Sequence, residues 1–265
     1  MLHFFSHLIM PISEFIFSTG SSIAVNILSN RLDAFLSDRL PTRQRWALWR
    51  ASLLASPNQY FRVSIAYLYR IYLDGEYLLI KGHRIDQYQP VGGVRKVYSS
   101  AKILSELGIL DDDCLKIDDV SRQDLRVRVP ARKLLKFLNW YESREDREVD
   151  QQREFVEELI KPGFLPANLF TPVTTQYRYT VPTFHFSPHF QCQELLYHEV
   201  FDVKLSPQQE QAMKHLRDTP SDQYVWVDEG SILMLGHDKR LKRKPFQIGE
   251  HARLLISKDH KLFNQ

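Results

Sequence analysis

Thiols are scarce in this sequence. It has two cysteines in 265 residues, Cys114 and Cys192, far apart and with no CxxC pair. That argues against a zinc site built on thiolates and reads as two reduced thiols of a cytosolic protein. Strong charge of one sign is also missing: the formal net charge is +3, which does not by itself call for a polyanion partner. No internal repeat and no low-complexity tract appears, so an extended disordered chain is excluded. The acidic triplet Asp111-Asp112-Asp113 lacks the alternating ligand spacing of a calcium loop and reads as a solvated turn. No Lys or Arg precedes Arg31, so the start lacks the basic region of a cleaved signal peptide.

A long uninterrupted apolar run is absent too. Residues 2–28 are the most apolar stretch, with Glu14 as their one acid, but Ser18-Thr19-Gly20-Ser21-Ser22 interrupts them. A spanning helix takes about 20 mostly apolar residues. Arg31, Arg39, Arg43, Arg45 and Arg50 follow, with Trp46 and Trp49 among them, and the positive-inside rule would place these arginines in the cytoplasm. Two readings stand: a membrane anchor for a cytoplasmic domain, or an amphipathic N-terminal helix packed on the domain or on a second subunit. Residues 1–57 form this N-terminal segment, and residues 58–260 form the main domain.

What is present along the rest of the chain is a mixture of strand and helix patterns. A short helix is predicted over 43–55, between Pro41 and Pro57. From Phe61 to Ile71 the sequence is β-branched and aromatic, then meets Asp74-Gly75, a hairpin turn signal, and Glu76-Tyr77-Leu78-Leu79-Ile80 returns as the partner strand. An inserted unit covers residues 97–140, with a helix over 101–107 capped by Gly108, a strand over 124–129 and a helix over 131–142. A further helix is predicted over 145–160, closed by Pro162-Gly163. Strands follow over 166–188 and 193–203. Ser206-Pro207 opens a helix to about Arg217, 224–227 and 232–235 read as strands, and 248–256 as a last helix. The fold class is α+β.

The chemistry concentrates in one helix. Glu154, Glu157 and Glu158 are spaced i, i+3, i+4 and share a face. Three like charges there repel unless a cation neutralises them, and Mg²⁺ or Mn²⁺ takes such oxygen donors. Phe155, Val156, Leu159 and Ile160 lie largely on the other side and can pack on a sheet, while Arg153 stands beside the acids and can hold Glu157. Such a helix suits metal-assisted phosphoanhydride hydrolysis, in which the metal polarises a phosphoryl oxygen and acidifies a water.

Upstream stands Gln89-Pro90-Val91-Gly92-Gly93. Together with Glu145 and Arg153-Glu154-Phe155-Val156-Glu157-Glu158 it resembles a split Nudix box, whose pattern is Gly-x5-Glu-x7-Arg-Glu-U-x-Glu-Glu-x-Gly-U with U apolar. The match departs in two places: Gly93 and Glu145 are about fifty residues apart, and Ile160 replaces the last glycine. The resemblance implies a Nudix-like α/β/α sandwich with a mixed sheet and an insertion inside the box. It makes Gly93 a carbonyl ligand to Mg²⁺ or Mn²⁺, and Glu154, Glu157 and Glu158 carboxylate ligands. Glu145 and Arg153 would brace the loop and helix. With Phe61-Arg62-Val63-Ser64-Ile65-Ala66-Tyr67-Leu68-Tyr69-Arg70-Ile71 and Gln87-Tyr88 ahead of the turn, the chain is similar to the SMODS-associated Nudix family over about residues 60–255. That family is linked to CBASS, antiphage defence in which a cGAS-like nucleotidyltransferase makes cyclic oligonucleotides.

Three functions follow from different readings of the same residues: a nucleotide-recognising defence effector, a Mg²⁺-dependent hydrolase of a nucleoside diphosphate derivative, or a non-catalytic domain with a solvated acidic face. Arg84, Tyr88 and Lys96 are the substrate-binding candidates near the glycine turn. Tyr177, Tyr179, Phe184 and Phe186 are further stacking candidates, each equally suited to the core. Lys239-Arg240-Leu241-Lys242-Arg243-Lys244 reads as a solubilising loop or an anion-facing run. A catalytic base outside the box has three candidates: Glu194, Glu199 and Glu229.

Overall fold

The computed structural model describes residues 42–83, 85–112, 123–237 and 244–258. The apolar stretch 2–28, Arg84, Asp113, Cys114 and most of the basic run 239–244 lie outside the described residues. No helix among the described residues is long and apolar enough to cross a membrane.

The chain runs α1 (Thr42–Leu54), β1 (Tyr60–Arg70), β2 (Tyr72–Leu73), β3 (Glu76–Lys81), β4 (Tyr88–Pro90), β5 (Gly92–Val94), α2 (Ile103–Leu107), β6 (Leu110–Asp111) and β7 (Arg126–Pro130). A 3₁₀ turn at Ala131–Lys133 leads into α3 (Leu134–Ser143). Then come α4 (Gln152–Phe155), a π-helical turn at Val156–Ile160, α5 (Ala167–Phe170), β8 (Thr174–Ser187), β9 (Cys192–Lys204), α6 (Pro207–Asp218), β10 (Tyr224–Asp228), α7 (Glu229–Leu233) and a last 3₁₀ helix at Glu250–Leu255. The content is α+β with a mixed sheet, as the sequence led one to expect.

Two sheets carry the fold. The larger has the order β6-β7-β1-β9-β8, with β5 following β7 along the same edge of β1. Its centre is the parallel pair β1 and β9, from Arg62↔Glu194 to Arg70↔Asp202. The smaller has the order β10-β3-β2, with β4 also on β3. The Asp74-Gly75 turn forms as expected, with φ positive at both residues (49° and 93°). Its partners differ from the expectation: Glu76–Lys81 pairs with two-residue β2 and not with β1. The chain leaves the larger sheet after Arg70, and Ile71 accepts from Leu78 N–H at 3.1 Å, so β1 and β3 belong to different sheets.

Period-two burial along β1 sets the layers. Phe61, Val63 and Ile65 face a core with Leu48 of α1 and Leu134, Phe137, Leu138 and Tyr141 of α3. Tyr67 and Tyr69, on the same face further along, meet Phe155, Leu159 and Phe170. Leu68, on the opposite face, packs with Val181, Val200, Ile248, Ala252 and Leu254. Thus α1 and the inserted helix α3 cover one end of the central strand, and the carboxylate helix covers the other.

Several local expectations are revised. Residues 145–151 are not helical, because Arg144 and Asp146 adopt positive φ and Arg147 bridges to Val97; helix starts only at Gln152. Residues 232–235 fall in and after α7, which Asp228 caps by accepting from Ser231 N–H at 2.7 Å, so they are not a strand. Asp112 is not solvated: it is buried, with its carboxylate 2.8 Å from Arg62, and Arg62 also pairs with buried Glu194. The Ser206 cap is confirmed as a full capping box with Gln209.

Two half-buried imidazoles meet at the last 3₁₀ helix, one from β9 and one, His251, from the helix itself. His198 on β9 has an Nδ1 shielded from solvent and without a hydrogen-bond partner among the described residues. Burial, and then the nearby His251, pushes its pKa down to about 3, and burial pushes His251 to about 4. Both are neutral when folded and bind protons near pH 6.5 when unfolded, so acid favours the unfolded chain. Stability is expected to be steady above about pH 6.5 and to fall as pH drops toward 4, by at most about 1.4 kcal/mol per pH unit for each histidine. Urea titrations at pH 7 and pH 5 check this; a His198→Gln/His251→Gln chain should lose less between the two.

Candidate active site

The site is built where β5 passes the carboxylate helix. Tyr69 N–H donates to Val91 O at 2.8 Å, and β1 then pairs with β5 in the register Leu68↔Gly92 and Tyr67↔Gly93. Each glycine is required, for a different reason. Gly92 has φ +150°, and a Cβ there would lie 2.2 Å from Tyr67 O. At Gly93 a Cβ would lie 2.0 Å from Oε1 of Glu154. The strand therefore approaches the helix so closely that the Glu154 carboxyl occupies the place of a side chain.

The helix itself is held from below and at its start. Phe155 and Leu159 are fully buried; the Phe155 ring meets Tyr69 edge-on at 5.5 Å and stacks on Phe170 at 5.9 Å. Asp150 accepts from Gln152 N–H at 3.1 Å. The Gln152 amide bonds both backbone groups of Val173, at 2.9 and 2.8 Å. After Phe155 the helix widens into the π turn, with Lys161 N–H on Val156 O at 2.8 Å, and it exits through Gly163 at φ +83°. Ile160, which replaces the glycine of the family pattern, is thus still inside the helix. A π turn of this kind is rare and recurs at functional sites.

On the outer face the acids are arranged around one guanidinium. Arg153 donates to Glu148 at 2.9 Å and to Val94 O at 2.8 Å. It pairs with Glu154 and lies 3.6 Å from Glu157. Glu158 turns the other way and accepts Gly92 N–H at 2.9 Å. Burial, then the charges of Glu154 and Glu157, push the Glu158 carboxyl up to about 8, against the opposing pull of Gly92 N–H. Burial also raises Glu154, although Arg153 draws it back. For Arg153 burial works downward, but the bond to Glu148 and the Glu154 charge hold it above the usual arginine range.

A hard divalent cation is the natural partner of such a set of acids. The donors fit in kind: three carboxylates from one helix beside the Gly92-Gly93 turn, one of them protonated more readily than usual because it is buried and lies near two other acids. As they stand, no group of three His, Cys, Asp or Glu side chains among the described residues converges on one point. Arg153 holds Glu154 and Glu157 in their present rotamers, and a bound cation would compete with it for them.

Other sequence candidates are placed elsewhere. Glu145 is exposed and makes no contact with Arg153; the brace on Arg153 is Glu148, which also accepts Lys96 N–H at 3.2 Å. The loop with positive φ at Arg144 and Asp146 carries the counted position outward and brings Glu148 in. The Lys96 ammonium is 3.7 Å from Asp124 and is not a free cation. Tyr88 donates to Asp222 O at 2.8 Å and packs on Phe246, among elements that carry none of the carboxylates. Arg84 is outside the described residues. Of the candidate bases, Glu194 is paired with Arg62, Glu199 with Arg95 at 2.8 Å and with Tyr141 O–H at 2.8 Å, and Glu229 is an exposed residue of α7. Glu148 carried no distinguishing sequence signal, since several acids precede Arg153.

A mixed sheet that feeds a glycine turn onto a helix with Arg153-Glu154 and Glu157-Glu158 on its outer face defines a Nudix domain. The family model of the SMODS-associated NUDIX domain matches residues 60–256, and the chain belongs to that family. The match begins at the first residue of β1 and ends just after the last 3₁₀ helix, so it includes the insertion and both sheets. Comparison with curated proteins finds no match.

Proposed function

We propose that this chain is a nucleotide-recognising effector of a CBASS-type antiviral defence system, and that its Nudix domain binds a cyclic oligonucleotide or a related nucleotide made by a cGAS-like nucleotidyltransferase. The observation that carries this reading is the family match across residues 60–256. The association with SMODS points to a nucleotide-signalling setting, and the Nudix domain supplies the nucleotide-binding chemistry.

A second reading is favoured by a specific feature, the persistence of Glu154, Glu157 and Glu158 on one face with Gly92 and Gly93 against them. It is a Mg²⁺- or Mn²⁺-dependent hydrolase of a nucleoside diphosphate derivative. In that case Glu154, Glu157, Glu158 and the Gly93 carbonyl would hold the cation, which would polarise a phosphoryl oxygen and acidify a water. Arg153 positions Glu154 and Glu157, and Glu148 in turn fixes Arg153. Membrane contact through residues 2–28 and self-association through the N-terminal helix belong to the same proposal.

Incubation of the full chain with cyclic oligonucleotides and with dinucleoside polyphosphates, with and without Mg²⁺, separates these functions. Turnover lost by more than about 100-fold in Glu157→Gln is expected of the hydrolase. Tight binding without turnover is expected of the sensor. If neither is seen with either class of compound, both readings fail.

A further inference from the structure

A cleft of about 440 Å³ opens beside the start of the carboxylate helix, between the insertion and strands β8 and β9. This volume lies within the range of small-ligand sites. Its walls carry unusual charge. Arg147 is 2% exposed, and among the described residues its side chain donates to backbone carbonyls, Tyr141 O at 2.7 Å and Glu148 O at 2.7 Å. Its guanidinium lies 3.8 Å from the centre of the Tyr141 ring. No carboxylate of the described residues forms an ion pair with it, and burial pushes its pKa down. Glu199 offsets part of this from a distance, while the guanidiniums of Arg95 and Arg144 add to it, so a bound anion would relieve the repulsion among three cations.

Arg144 lines the same cleft. It is exposed, its backbone is held at φ +67° by the turn after α3, and its side chain has no hydrogen-bond or ion-pair partner among the described residues. The other arginine of the cleft, Arg95, differs: Glu199 neutralises it, and it also donates to Val149 O and Asp150 O at 3.1 and 2.7 Å. The Arg144 guanidinium and the Nη2 edge of Arg147 are therefore left for a ligand. Two aromatic rings of the cleft are half open to solvent, Tyr98 (53%) and Tyr177 (46%); Tyr177 is steadied by Phe201 at 5.8 Å and by its hydroxyl on Thr180 at 2.9 Å. The single exposed acid, Asp150, has one oxygen engaged by Gln152 N–H.

We infer that this cleft is a nucleotide subsite, in which Arg144 and Arg147 take a phosphate and Tyr98 and Tyr177 take the base. Guanidiniums match phosphate oxygens two at a time, and rings with an open face accept a base by stacking. The inference rests on the nucleotide reading given above and names the place and chemistry of the contact. Asp150 and Gln151 of the cleft lead directly into the carboxylate helix, whose first residue, Gln152, donates its N–H to Asp150.

The test is binding of mant-ADP and of inorganic pyrophosphate to the full chain in EDTA, which removes any divalent cation. Arg144→Glu should weaken both probes at least tenfold. Tyr177→Ala should weaken mant-ADP about fivefold and leave pyrophosphate within twofold, with circular dichroism confirming that both variants fold. Pyrophosphate binding with no advantage for mant-ADP overturns the nucleotide assignment, and unchanged affinity in Arg144→Glu overturns the cleft. Nucleotide binding that needs Mg²⁺, is lost in Glu157→Gln and persists in Arg144→Glu overturns the cleft while leaving the proposed function in place.

Discussion

Glu199→Leu is expected to lower the melting temperature by about 6–20 °C, measured by differential scanning calorimetry at pH 7. Glu199 and Arg95 are 2% and 1% exposed, with N and O 2.8 Å apart. Loss of one partner leaves the other charge buried, which costs about 3–5 kcal/mol, and a domain of this size shifts about 2–4 °C per kcal/mol. The double change Arg95→Met/Glu199→Leu should recover part of the loss, because no uncompensated charge remains. Recovery should be incomplete: Val149 O, Asp150 O and Tyr141 O–H would each lose the partner that Arg95 or Glu199 supplies. A Glu199→Leu chain that melts within about 2 °C of the parent would instead free Glu199 from this structural role and return it to the list of catalytic bases.

This pair shows where the sequence was legible and where it was not. Local chemistry was readable. The Asp74-Gly75 turn, the Ser206 cap and the Gly108 left-handed cap each depend on a few adjacent residues, and each formed as expected. Helical spacing puts Glu154 and Glu157 beside Arg153, but it does not announce the π turn at Val156–Ile160 or that Glu158 turns to Gly92 N–H. Pairings over long distances were not readable. Nothing near Arg62 announces that it will lie beside Glu194, or that β1 will run parallel to β9, since both follow from burial of the whole sheet. The same holds for Arg95 and Glu199.

The error at Glu145 has a more specific cause. Counting back from Arg153 presumes a loop of standard length, but the insertion re-enters through Arg144 and Asp146 in left-handed conformations and a bridge from Arg147 to Val97. These shift which acid reaches Arg153, and Glu148 arrives. The cleft was hidden for the same reason: Tyr98, Arg144 and Tyr177 come from three separate segments that meet only after the insertion has folded against β8 and β9.

The two glycines of the turn are expected to fail in different ways when a methyl group is added. In Gly92→Ala the new Cβ would lie 2.2 Å from Tyr67 O and 3.0 Å from Leu68 Cα, both backbone atoms of the central strand, and the residue would hold a φ of +150°. Neither neighbour can yield without moving β1, so a loss of about 2–5 kcal/mol is expected in urea unfolding. In Gly93→Ala every close atom belongs to the Glu154 side chain, at 2.0, 2.2 and 2.7 Å, and that side chain can rotate. The fold should lose little, within about 1 kcal/mol, while Glu154 is driven off its present position. If Glu154 is a metal ligand, Mn²⁺ affinity measured by electron paramagnetic resonance should fall about 10–100-fold in Gly93→Ala. Gly92→Ala, where it remains folded, should weaken Mn²⁺ through a different route, since its N–H holds Glu158. A Gly93→Ala chain that binds Mn²⁺ as tightly as the parent removes Glu154 from the metal site, and with it the hydrolase reading of this helix.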